Sequence, residues 1–197
     1  MVGTKMNDPE GDGAWSATQQ MPFVPIHSMT VPNGKVFSFG TISMEQSAFV
    51  YSLYDPVTEE LTILPNTTGT NIFCSNMSID PMTGNVVVMG GDGFQSGGEL
   101  NTGIKDVVIF DYKAEEIRPL SQLDEAFELD SARWYGTTLN LANGEILMLG
   151  GKDEEQAGSP TPEIYNHETG FRELPGAKID DVATEGNVFY YPHAWQI

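Results

Sequence analysis

One unit of strand, turn and apolar strand recurs three times along the chain, and a repeat of that kind leaves few architectures open. It reads Ile26-His-Ser-Met-Thr-Val-Pro-Asn-Gly-Lys-Val-Phe-Ser-Phe-Gly40, then Cys74-Ser-Asn-Met-Ser-Ile-Asp-Pro-Met-Thr-Gly-Asn-Val-Val-Val-Met-Gly-Gly91, then Arg133-Trp-Tyr-Gly-Thr-Thr-Leu-Asn-Leu-Ala-Asn-Gly-Glu-Ile-Leu-Met-Leu-Gly-Gly151. The turns sit on Asn33-Gly34, Thr83-Gly84 and Asn143-Gly144. Asn-Gly between apolar runs is a strong hairpin signal because both residues tolerate positive φ. A second predicted hairpin follows each unit, over Phe49–Leu64, Val107–Leu120 and Glu163–Leu174. Two hairpins make a four-stranded antiparallel sheet. Val86-Val-Val-Met and Ile146-Leu-Met-Leu are apolar without alternation, which predicts strands covered on both faces. Helical patterning is almost absent, with at most one turn expected in Leu123–Leu129.

These features predict an all-β fold, a partial kelch-type β-propeller of about three blades. The turn glycines lie 84 − 34 = 50 and 144 − 84 = 60 residues apart, against about 50 for a kelch blade; the second interval implies an insertion. Residues 1–13 read as a flexible acidic leader and 14–197 as an incomplete propeller domain. Its blades are expected near 26–65, 74–120 and 133–176, with 188–197 opening another repeat. Propellers close with about four to eight blades, so the chain is expected to need further blades from elsewhere in the protein or from another chain.

Composition narrows the function. A net charge of −19 with nine Lys plus Arg argues against nucleic acid, which demands a basic footprint. No apolar run approaches the roughly 20 residues of a membrane-spanning helix, and the N-terminal residues show no signal-peptide pattern. One cysteine, Cys74, excludes an internal disulfide framework, and taken alone it reads as a small buried hydrophobe. His27, His167 and His193 are too dispersed for a metal signature; His27 reads as an inner-channel or packing residue, and His167 as an exposed turn residue. Asn66-Thr-Thr68 and Asn76-Met-Ser78 match glycosylation sequons. Asn76 falls within an expected strand, leaving Asn66 as the acceptor.

Beyond the repeat, the residues resemble the galactose oxidase and glyoxal oxidase family of copper radical oxidases. Gly13-Ala-Trp15, Met21-Pro-Phe-Val-Pro25, Asn71-Ile-Phe-Cys-Ser-Asn-Met-Ser78, Ala132-Arg-Trp-Tyr-Gly-Thr-Thr138 and His193-Ala-Trp195 carry the resemblance over nearly the whole chain. It implies the N-terminal part of a seven-bladed, galactose-oxidase-like propeller. It further implies a secreted enzyme that oxidises a primary alcohol or small aldehyde with dioxygen to give hydrogen peroxide. Tyr135 would be a copper ligand, joined to Cys74 by a thioether that stabilises a tyrosine-based radical; Phe73 would line the substrate pocket. Cys74 and Tyr135 stand ten and nine residues before the turn glycines of successive repeats (84 − 74 and 144 − 135), so neighbouring blades can bring them together at the axis. The remaining ligands would lie outside this chain. Tyr191-Pro192-His193 aligns with an earlier repeat than the family's Tyr-His ligand pair and does not supply it.

Two departures bear on substrate. Lys152-Asp153 follow Gly151 where galactose oxidases carry a tryptophan over the radical, and Phe189 stands near the place of a substrate-binding arginine. Both point away from galactose and toward small aldehydes or other primary alcohols. The alternative reading is a non-catalytic propeller that binds a glycan or protein, or forms part of an extracellular assembly.

Overall fold

A computed structural model describes residues 17, 18, 20, 21, 23–41, 50–93, 101–179 and 190–197. Expectations for the leader, Trp15, Phe49 and Phe189 lie outside the described residues. Twelve strands form three four-stranded antiparallel sheets, each made of strands consecutive in sequence. The first contains β1 (Val24–Thr30), β2 (Val36–Thr41), β3 (Val50–Asp55) and β4 (Glu60–Pro65). The second contains β5 (Asn76–Ile79), β6 (Val86–Met89), β7 (Val107–Asp111) and β8 (Glu116–Pro119). The third contains β9 (Thr137–Asn140), β10 (Ile146–Leu149), β11 (Glu163–Asn166) and β12 (Gly170–Glu173). Helix among the described residues amounts to short 3-10 turns such as Glu125–Phe127, capped by the Asp124 carboxylate, and Pro175–Ala177. The fold is all-β, and the sheets are blades of a propeller-like array.

The unbroken apolarity of β6 follows from its place between two other blades. Val86 and Val88 pack with Phe37, Phe39, Tyr51 and Leu53 of the first blade. Val87 and Met89 face the other way, into a cluster with Ile146, Met148 and Tyr165 of the third. All four are buried. Side chains on a strand alternate faces, so a strand covered on both faces must be apolar at every position.

The first and third inner hairpins share one turn design. Val31 N donates to Lys35 O and Gly34 N to Val31 O; the same pair of bonds recurs at Leu141, Glu145 and Gly144. The second is one residue longer, with Asp80 N donating to Asn85 O and Gly84 N to Asp80 O. The inner strands β5 and β9 are tied by polar side chains: Thr138 Oγ1 donates to Met77 O at 2.9 Å, Asn140 Nδ2 to Ile79 O at 2.9 Å, and Ser78 hydrogen-bonds Asn140 Oδ1. Residues 190–197, expected to open a further strand, belong to no strand, because a strand is defined by ladder bonds to a partner.

Two glycines distinguish a local conformational demand from a global one. Gly34 has φ +86° and open space where a Cβ would stand, whereas a Cβ on Gly90, at φ +71°, would come within 2.2 Å of Arg133 O. Gly34→Ala is therefore expected to cost about 1–2 kcal/mol, the left-handed strain alone. Gly90→Ala is expected to cost roughly 2–5 kcal/mol, since it also forces the next repeat's backbone away. Urea denaturation of the two variants checks the order; equal losses would contradict the packing.

Candidate functional site

Arg133 anchors the segment that leads into β9. Its side chain and that of Glu163 have no exposed surface. Arg133 Nε and Nη2 both donate to Glu163 Oε1, at 3.1 and 2.7 Å, while Nη1 donates to Gly150 O and Nη2 also to Thr161 O. The carboxylate accepts from the Asp130 and Ser131 amides as well. On the main chain, Arg133 N donates to Ile104 O and its carbonyl accepts from Gly91 N. This one residue ties the second blade's loops to the third's.

Two residues on, Tyr135 meets Cys74. Each lies two residues ahead of its inner strand, β9 and β5, and not within the strand as the spacing had suggested. The reason is conformational: Cys74 has φ +54° and Tyr135 φ +63°, in the left-handed region that interrupts an extended ladder. Tyr135 N donates to Cys74 O at 3.0 Å, and each side chain perturbs the other's ionisation. Cys74 is a free thiol with only 1% of its surface exposed. Burial pushes the thiol up to about 11, against the counter-effect of the Tyr135 hydrogen bond. Burial, followed by the bond to Cys74, raises the Tyr135 phenol to about 12.

Aromatic side chains enclose the pair. Trp134 lies against Tyr135 with ring centroids 4.0 Å apart, and Tyr190 and Tyr191 meet Tyr135 edge-on at 5.3 and 4.9 Å. Lys152, only 9% exposed, sets its ammonium 5.4 Å from the Trp134 ring centroid, a cation–π contact. An adjoining cavity of about 250 Å³ is lined by His27, Ser75, Asn76, Gly136, Thr137 and Tyr191, among others. Beside it the Ser75 hydroxyl, the Asn76 amide nitrogen and His27 Nε2 are buried and find no hydrogen-bond partner among the described residues. His27 stacks on Phe39 at 4.8 Å, and burial lowers its imidazole to about 4. It is neutral at pH 7.

The other sequence-predicted residues fare differently. Phe73 is half-buried beside Cys74, its amide donating to Asn71 Oδ1. Asn66 is not an acceptor in the folded chain: it is 3% exposed, its Nδ2 donates to Thr70 O, and its Oδ1 accepts from the Thr68 amide and hydroxyl. The sequon threonine thus serves a closed loop. His167 is not fully exposed; its side chain keeps 25% exposure, with Nε2 3.7 Å from Glu168. Trp134 was not singled out from sequence, and Tyr191 was weighed only for a ligand pair that it does not supply. Tyr191 stands 191 − 135 = 56 residues after Tyr135, against 135 − 74 = 61 between the first two, and this spacing was the available signal. Among the described residues no three His, Cys, Asp or Glu side chains gather as a metal site. Tyr135 offers one oxygen ligand, which suits one position of a tetragonal Cu(II) site; further ligands would come from outside those residues.

Three outcomes follow. Glu163→Ala should cost about 3–5 kcal/mol by leaving the buried guanidinium unpaired, read from the denaturation midpoint. The thiol ionises near 9.0 when unfolded and near 11 when folded, so the folded state holds the proton longer and stability falls as pH rises between those values. At pH 8, iodoacetamide should modify Cys74 in the folded chain at about a hundredth or less of the unfolded rate, two pH units of lost thiolate. Comparable rates would place the thiol at the surface.

No protein-family model and no curated protein matches the chain. Among solved structures it is similar to a copper complex described as a novel fungal alcohol oxidase with catalytic diversity among the AA5 family: 20% identity, TM-score 0.65, over 85% of this chain and 34% of that one. This chain therefore spans about a third of that structure's length. At this identity the likeness establishes a propeller-like, all-β fold, and the chemistry rests on the site.

Proposed function

We propose that this chain carries the cysteine–tyrosine half of a copper radical oxidase site, in a protein that oxidises a primary alcohol or small aldehyde. The observation that carries the reading is the meeting of Cys74 and Tyr135, equivalent residues of successive repeats, joined by a backbone hydrogen bond and with the thiol buried. The solved copper-bound oxidase of like fold supports it. An alcohol RCH2OH and O2 would give RCHO and H2O2; an aldehyde with water and O2 would give the acid and H2O2. Bound copper would supply one-electron chemistry beside the phenol.

The chain's own residues then have distinct tasks. Tyr135 would ligate through its phenolic oxygen. Cys74 would bond through sulfur to the Tyr135 ring: the S–H and a ring C–H give way to a C–S bond, and two protons and two electrons pass to dioxygen, leaving hydrogen peroxide. Trp134 would exclude water from the ring, and the Lys152 ammonium above it would tune that indole's electrons. Phe73 would border the substrate pocket. Lys152 at the position of the galactose oxidase tryptophan favours a small aldehyde or simple alcohol over galactose. The other ligands, blades and a C-terminal domain would come from the rest of the protein or another chain, and the enzyme would act outside the cell.

The test is intact mass and peroxide release by the whole protein after copper loading in air. A 2 Da loss mapped to Cys74–Tyr135, with peroxide formed from alcohols or aldehydes, is expected. Cys74→Ala should keep the fold and lose most turnover. An unmodified thiol and no peroxide would leave a binding propeller as the better reading. Residues 1–197 alone should bind Cu(II) weakly and release no peroxide.

A further inference from the structure

The geometry points to Tyr191 as a positioning residue of this site, the fourth-repeat counterpart of Cys74 and Tyr135, whose ring braces Tyr135 and whose hydroxyl holds the Cys74 sulfur toward it. The inference rests on the reading of Cys74 and Tyr135 as the reacting pair.

Three independent features place Tyr191 in the series. Its φ is +45°, left-handed like those of Cys74 and Tyr135, a conformation uncommon for any residue but glycine or asparagine. Its amide donates to Tyr135 O at 2.7 Å, just as the Tyr135 amide donates to Cys74 O at 3.0 Å. One backbone bond thus steps from each repeat to the next. Its ring stands edge-on to Tyr135 at 4.9 Å and 64°, on a ring that Trp134 also touches.

The consequence is geometric. A thiol on a short side chain can swing about χ1, and bonding to a ring carbon needs the sulfur over that ring's edge. Tyr191 is tied to Tyr135 through its amide and its ring, and its hydroxyl, like that of Tyr135, acts against the upward push of burial on the Cys74 thiol. With the Tyr135 ring braced edge-on by that of Tyr191, the ring that the sulfur must reach is kept in one place. Tyr191 borders the same cavity as Ser75, Asn76 and His27, the last 6.4 Å from its ring.

Cys74 is the sole cysteine, so the S–H stretch in a Raman spectrum of the chain reports on this thiol alone. Tyr191→Phe keeps the ring and should shift the band with the melting temperature little changed; Tyr54→Phe, on β3, should leave the band in place. A band unmoved by Tyr191→Phe overturns the inference. Should the variant fold poorly, the unaltered chain decides: Overhauser contacts between the Cys74 β-protons and the Tyr191 ring are expected, and their absence from an assigned spectrum overturns it. In the copper-loaded whole protein, Tyr191→Phe should form the Cys74–Tyr135 bond about tenfold more slowly, and an equal rate overturns the positioning role. Absence of the bond in the unaltered protein instead overturns the oxidase reading, while the thiol band still decides Tyr191's hold on the sulfur.

Discussion

A guanidinium sealed from water must place its donors on the protein, and Arg133 does so across a junction between blades. Its side chain binds Glu163, Gly150 and Thr161, all in the third repeat, while its main chain binds Ile104 and Gly91 of the second. Desolvating two charges is costly, and a pair of this kind survives only where geometry and extra hydrogen bonds offset the loss. Here the carboxylate gains two amides besides the guanidinium. The diglycine of the second repeat is what lets the Arg133 carbonyl come so near.

The site inherits its precision from that junction. Trp134 exchanges backbone bonds with Lys152 on the third repeat's diglycine loop, and Tyr135 bonds back to the second repeat through Cys74. The peptide between Arg133 and Tyr135 is therefore held from both blades, leaving the phenol little room to move. Left-handed backbone at Cys74 and Tyr135 stores strain of order 1–3 kcal/mol at each residue, which this network maintains. Strain concentrates where side chains must leave the regular pleat to meet.

Much of the fold was written in local pattern. The turn residues and the unbroken apolarity of β6 implied hairpins stacked between neighbours, and that is how Val86–Met89 pack. The meeting of Cys74 and Tyr135 was legible because equivalent positions of a repeat are carried to equivalent places. What escaped depended on contacts distant in sequence or on the fate of one side chain. Asn66 satisfies the sequon pattern, yet its amide closes a loop, and burial cannot be read from three residues. Tyr191 was weighed only as half of a ligand pair; its place in the series became clear from its backbone bond to Tyr135. Unequal loops between repeats had blurred the spacing. Trp134 carried no signal in the sequence; its part shows only in the ring set against Tyr135 with Lys152 above it.

The sealed environment of Cys74 has a chronological meaning. An odd thiol on a nascent chain is exposed to disulfide exchange, above all in oxidising surroundings. Once the second and third repeats dock, the sulfur is 1% exposed and held protonated, so neither a partner thiol nor a small oxidant meets a reactive thiolate. Any later chemistry at that sulfur must start from within the fold, with the tyrosines already in place. Folding acts as the protecting group, and assembly of the repeats sets the earliest moment at which the thiol can be committed.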